Sequence, residues 1–95
     1  MIETTMNVIT FRSTHHAMKT EKALKNANLD IKMIPTPREI TASCGLSIKF
    51  KDEDRDAIFE ILRKLVSEEG IILKGVFKIV RTKEKVELEE MDIDE

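Results

Sequence analysis

Cys44 is the residue of this chain best suited to covalent chemistry, and it is the only cysteine among the 95 residues. It closes the stretch IPTPREITASCG, residues 34–45, which also holds both prolines, Pro35 and Pro37. A thiolate is a strong nucleophile, so the setting of the sulfur decides what it can do. This stretch is either an ordinary connection or a rigid support that holds the thiol in one place.

Few other residues suggest a reaction. A single thiolate can hold neither a zinc ion nor an iron–sulfur cluster by itself, and it has no partner for an internal disulfide. His15 and His16 are neighbours on a predicted helix and point in different directions, so they cannot grip one metal ion together. No carboxylate pair or phosphate-binding loop stands out. We therefore expect no metal site and no bound cofactor.

The overall composition limits the class of protein. With 41% hydrophobic residues, the chain is long enough for one domain with one modest core. The net charge is −2, and no aromatic residues are interleaved with the basic ones, which argues against nucleic-acid binding. Neither a membrane-spanning run nor a signal peptide is recognisable, and the lone cysteine fits a reducing compartment. These features predict a cytoplasmic protein without a membrane or nucleic-acid partner.

The hydrophobic pattern predicts four strands and two helices in the order β-α-β-β-α-β. Alternating or β-branched runs indicate strands at 6–11, 31–34, 46–50 and 72–80, and 3.6-residue periodicity indicates helices at 14–28 and from Asp52 to Gly70. In the third strand, LSIKF, we expect Ser47 and Lys49 to face away from the apolar side chains. Asp52 can cap the second helix, and Asn28 and Gly70 would end the two helices. The expected apolar faces consist of Ala17, Leu24 and Ala27 in the first helix and Ile58, Ile61, Leu62 and Leu65 in the second.

The β-α-β-β-α-β order predicts an α+β ferredoxin-like two-layer sandwich, with a four-stranded antiparallel sheet ordered fourth, first, third, second and both helices on one face. We expect one domain at residues 1–83, followed by an acidic, disordered tail at 84–95.

This topology predicts where the thiol lies. The second strand carries the prolines, which suits a sheet edge because proline cannot donate to the ladder. The first helix would begin at the same end of the sheet as the third strand, near Ser13 and Thr14, either of which can cap it. If the third strand starts by residue 44, Cys44 shares the helix-covered face with Leu46. The sulfur would then face a helix N-terminus, which stabilises an anion.

Neighbouring residues fit that interpretation. Arg38 could add a fixed positive charge, with Pro35 and Pro37 restricting its movement. Gly45 gives the backbone beside the sulfur freedom, or leaves space for a group attached to it. In the simpler interpretation, which the sequence leaves open, Cys44 is a small buried hydrophobe and Arg38 is an ordinary surface charge.

The chain resembles the selenium/sulfur carrier-like family of small domains. The resemblance rests on an F-x-S-T start, small and acidic residues in the first helix, a P-T-P-R-x-I segment and a Cys-Gly pair. The matching residues are Phe11, Ser13, Thr14, Ala17, Glu21, residues 35–38, Ile40, Cys44 and Gly45. The resemblance implies a bacterial-type cytoplasmic protein in which Cys44 carries sulfur or selenium, with Thr36, Pro37, Arg38 and Gly45 around it. Its partners would be the proteins that donate and accept the carried atom.

Two functions remain open at this point. In the first, the Cys44 thiolate takes a persulfide or selenide group and passes it on between proteins, acting as a carrier without turnover rather than as an enzyme. In the second, the chain is a non-catalytic regulatory or protein-interaction module with a structural cysteine, working as a monomer or homodimer.

Overall fold

A computed structural model describes residues 4–38, 40 and 45–93. The strands form one antiparallel sheet in the order β2-β3-β1-β4-β5, and two helices pack on it, which confirms the α+β class. The elements are β1 (Thr4–Phe11), α1 (Thr14–Asn26), β2 (Ile31–Pro35), β3 (Leu46–Phe50), a short 3₁₀ turn (Asp52–Asp54), α2 (Arg55–Glu69), β4 (Leu73–Arg81) and β5 (Val86–Met91). The first four strands have the predicted order, and β2, with Pro35 at its end, is an edge strand as predicted.

The predicted count of four strands is wrong, because the sheet has five. The additional strand, β5, lies inside the 84–95 segment for which the sequence predicted a disordered acidic tail. Every residue of β5 pairs with β4 in a continuous register. The abundance of glutamates hides the strand in the sequence. It forms because β4 offers a free edge, and edge strands tolerate charged side chains.

Both helices contribute to a single hydrophobic cluster on one face of the sheet. Ile9 and Ile48 from the central strands pack there with Leu24 of α1 and Leu62 of α2, and all four are fully buried. The predicted α2 stripe is largely confirmed, although Ile61 is only partly buried. No helix in the described ranges is long and apolar enough to cross a bilayer.

Both helices end at the predicted stop signals. Asn28 and Gly70 adopt the left-handed conformation, with φ of 62° and 71°, just after the two helices. This conformation ends a helix by redirecting the chain, and glycine and asparagine adopt it at the lowest cost. The buried face of α1 differs from the prediction at one position. Ala27, predicted on that face, is instead exposed at the C-cap. Thr20 is buried on the face, and its hydroxyl has no hydrogen-bond partner.

Asp52 does not cap α2 as the sequence suggested. The helix begins after Asp54, and Asp52 instead accepts a hydrogen bond from Asn7 Nδ2 at 2.6 Å and lies 3.5 Å from Lys78 Nζ. These two contacts, the bond from Asn7 above all, lower the pKa of the Asp52 carboxyl. The side chain thus ties the end of β3 to β1 and β4.

The opposite face of the sheet has a small core of its own. Val8 and Ile79 are fully buried there, and Ile40, from the connection between β2 and β3, packs against them with 6% exposure. Met6, Ile34 and Phe77 surround this group. The β2–β3 connection therefore reaches the face of the sheet away from the helices.

Candidate functional site

Strand register brings the ends of β1 and β2 and the starts of β3 and α1 to one end of the sheet. Thr10 of β1 pairs with Ser47 of β3, and Pro35 of β2 pairs with Leu46, so β1 and β2 end where β3 begins. Helix α1 starts just beyond the end of β1. The prediction that these chain ends share one end of the molecule is confirmed.

Cys44 itself lies outside the described residues. The argument that placed it on the helix-covered face required β3 to begin by residue 44, and β3 begins at Leu46. Strand parity therefore does not extend to the cysteine. Leu46 does point to the helix-covered face, as expected, where it packs against the helix-side cluster.

Hydrogen bonds close the base of the β2–β3 connection. The backbone N–H of Thr36 donates to the carbonyl of Gly45 at 2.9 Å, which extends the β2–β3 pairing past Pro35. The hydroxyls of Thr36 and Ser47 lie 2.7 Å apart, and Ser47 is fully buried. One backbone hydrogen bond and one hydroxyl–hydroxyl contact therefore join the two ends of the connection.

The proline-rich side of the connection makes a turn. The N–H of Ile40 donates to the carbonyl of Pro37 at 3.1 Å, a bond that closes a four-residue turn containing Arg38. Arg38 is exposed at this turn, whereas Ile40 is buried on the sheet. The arginine is thus carried on a segment anchored on both sides.

Gly45 is exposed, and its φ lies outside the left-handed range, so its conformation does not require glycine. A Cβ added at this position would meet nothing within 4 Å. The sequence suggested two reasons for this glycine, backbone freedom and space for a group on the neighbouring sulfur. The structure is consistent with the second, because there is open space beside Gly45.

Ser13 and Thr14 stand at the start of α1. Ser13 has an extended backbone, and its Oγ accepts from the N–H of His16 at 3.3 Å, so of the two candidate caps it is Ser13 that caps the helix. Thr14 is the first helical residue and is exposed. The first turn of α1 contains no acidic residue, so the positive end of the helix dipole has no local counter-charge within that turn.

Three contributors to this end of the molecule were missed by sequence reasoning. Ser47 reads as an outward-facing polar residue of LSIKF, but it is buried and bonded to Thr36. Ile40 anchors the connection on the sheet, and its side of the sheet was not predictable from a loop without periodicity. His16 Nδ1 accepts from the N–H of Ile72 at 3.1 Å, which ties α1 to the chain entering β4.

A family model with the description "Putative Se/S carrier protein-like" matches residues 6–78 of the chain. This span includes both helices, the first three strands almost completely, and the whole connection that carries Cys44. The chain therefore belongs to this family. No curated protein and no solved structure matches it.

Proposed function

From this family membership, we propose that the protein carries sulfur or selenium on the Cys44 thiolate and passes it from a donor protein to an acceptor protein. The observation that carries the proposal is the family match, which spans the segment ending in Cys44-Gly45. As a further part of the proposal, the unit from β1 to β4 is a ferredoxin-like domain to which β5 adds an edge, and it works in a bacterial-type cytoplasm as a monomer or homodimer.

The surroundings of Gly45, to which Cys44 is covalently bonded, support an anionic sulfur. Gly45 lies at the end of the sheet where α1 begins, and the first turn of that helix has a Ser13 cap and no acidic residue. A helix N-terminus favours a thiolate over a thiol, which makes the sulfur nucleophilic near neutral pH. Arg38, on the turn closed by Pro37 and Ile40, is the proposed second positive charge.

The proposed step is an exchange without net oxidation. The Cys44 thiolate attacks the terminal sulfur of a donor persulfide, a new S–S bond forms on Cys44, and the donor's S–S bond breaks. The inner sulfur of the donor leaves as a thiolate, and it then takes up the proton of the transferred S–H group. A selenium atom would be transferred by the same exchange, with an S–Se bond to Cys44. Because the chain has only one cysteine, no internal disulfide can release the cargo, so delivery requires a nucleophile on an acceptor protein.

A regulatory or interaction module with a structural cysteine is the second candidate function. It is favoured by one observation, the free outer edge of β5, where a partner strand could pair. The two functions differ in what they require of Cys44. The carrier needs a reactive thiolate, whereas the module needs none.

The deciding experiment is the pH dependence of Cys44 alkylation in native and in urea-unfolded protein, with the intact mass measured after incubation with a small-molecule persulfide donor. We expect the native thiol to ionise at lower pH than the unfolded one and to gain the mass of one sulfur atom. Cys44→Ser is the matched control and should gain nothing while keeping its circular dichroism spectrum. A native thiol that reacts only after unfolding would reject the carrier in favour of the module.

A further inference from the structure

β5 forms an open edge of the sheet on the side opposite the candidate site. It pairs with β4 along one side, and the sheet order puts no described strand on its other side. In an antiparallel edge strand, alternate residues point their N–H and C=O groups outward. These groups can pair with an additional extended chain.

The chain that follows β5 turns away from this edge. Ile93 packs against the cluster beneath the helices, and its carbonyl accepts a hydrogen bond from Arg63 of α2. Through residue 93, the chain therefore leaves the outer side of β5 uncovered.

Side chains alternate in chemical character along the first four residues of β5. On the face away from the helices, Val86 and Leu88 are each 44% exposed, and Leu88 lies directly opposite Ile79 of β4. On the helix side, Glu87 and Glu89 point outward from the same strand and are exposed. Along residues 86–89 an added strand would meet apolar side chains on one face and carboxylates on the other. The order reverses at the end of β5, where Glu90 lies opposite Phe77 on the face away from the helices and Met91 packs on the helix side.

We propose that β5 binds an extended segment of a partner protein that carries basic residues on the helix side and apolar residues on the opposite side. Pairing with a second copy of β5 is disfavoured because it would place glutamates against glutamates. A segment with lysine or arginine at alternate positions matches Glu89 and Glu87, the latter already paired with Lys85 at 2.8 Å, while its intervening residues cover Val86 and Leu88. This inference is independent of the chemistry of Cys44.

The test uses the full chain labelled with ¹⁵N and a short, capped peptide of alternating lysine and valine. We expect the amide signals of Val86–Met91 to shift on titration while those of β2 do not, with binding that weakens as salt is added. The Glu87→Lys/Glu89→Lys variant should bind the peptide at least about tenfold more weakly.

Matched controls separate pairing from non-specific attraction. Glu60→Lys/Glu68→Lys makes the same change in net charge at exposed positions of α2 and should leave the affinity unchanged. A peptide with proline in place of its central valines, unable to donate the backbone bonds, should not bind. Equal binding by an alternating glutamate–valine peptide, shifts spread over the whole chain, or no shift at about millimolar peptide would overturn the proposal.

Discussion

The two edges of the sheet differ in how they end. The β2 edge is five residues long, closes on Pro35 and passes directly into Thr36, which is bonded back to Gly45. The β5 edge is six residues long, lacks proline and carries three glutamates. Neither edge strand pairs with another described strand on its outer side, and such an edge is an aggregation hazard that folded proteins must control. On β2 the proline and the turn that follows it limit pairing with another strand, whereas on β5 the charges of the glutamates limit it.

This difference assigns different work to the two sides of the molecule. Proline lacks the N–H that a new strand would need, so the β2 edge is blocked towards its end whatever the partner's charge. Carboxylates, in contrast, repel only acidic or identical strands and attract basic ones. The β2 side is built to hold the connection that carries Cys44, whereas the β5 side is selective and remains available.

The largest expected effect concerns the anchor on the β2 side, Ile40. Truncation by Ile40→Ala removes a buried side chain packed against Val8 and Ile79 and should destabilise the protein by about 2–4 kcal/mol. Leu88→Ala is the control. Leu88 lies on the same face of the sheet, in β5, and is 44% exposed, so its truncation should cost less than about 0.5 kcal/mol. Urea unfolding followed by circular dichroism measures both. Equal losses would show that the β2–β3 connection is no better anchored than the free edge.

The hydroxyl pair at the base of the same connection comes next. Thr36→Val removes the hydroxyl partner of the fully buried Ser47 and should cost about 1–3 kcal/mol in urea unfolding. Ser47→Ala should cost a similar amount. The double variant should be less destabilised than the sum, because the buried Ser47 hydroxyl that Thr36→Val deprives of its partner is then absent as well. Strict additivity would mean that the 2.7 Å contact contributes nothing.

A smaller effect is expected from removing charge at the edges. Replacing Glu87 and Glu89 with threonine raises the β-propensity of β5 and removes the repulsion, so we expect dimers at protein concentrations about tenfold lower than for the unaltered chain. Lys32→Thr on β2 should not promote association, since Pro35 still shortens that edge. Sedimentation velocity distinguishes the two. If only the Lys32 variant associated, charge would protect the β2 edge and not the β5 edge.

How far the sequence could predict these features depends on whether the signal is local. Alternation in LSIKF, the periodic apolar residues of α2 and the Gly70 stop each act within a few residues, and each was confirmed. The edge position of β2 was also predictable, because a proline forbids a central position. All four depend on rules that need no distant partner.

The missed features depend on distant contacts. Strand β5 exists because β4 offers it an edge, while its own composition is typical of a solvated tail. Ser47 is buried and contacts Thr36, which lies 11 positions earlier in the chain, and Asp52 bonds to Asn7, which lies 45 positions earlier. Neither contact leaves a periodic trace, so neither could be predicted from the sequence pattern.

The smallest expected effect is an acid-pH difference between the two edges. Lys51 lowers the pKa of Asp30 beside β2, and Lys85 lowers that of Glu87 on β5, in each case through a hydrogen bond and the attraction of its charge. A lowered pKa means that each pair stabilises the fold above the ordinary carboxyl range and loses this contribution as pH falls through the native pKa, below about 4. Both carboxyls are exposed, so the loss of stability should be small.

NMR titration of the two carboxyl groups tests this prediction. Lys51→Met should return the pKa of Asp30 towards its ordinary value without altering Glu87, and Lys85→Met should do the reverse. Protonation also removes the negative charge of Glu87 from β5, whereas β2 contains no carboxylate to neutralise. Acid should therefore promote association through β5 only, and the threonine replacements at Glu87 and Glu89 should make that association less dependent on pH. If acid instead broadened the signals of β2, the selectivity of the β5 edge would not come from its carboxylates.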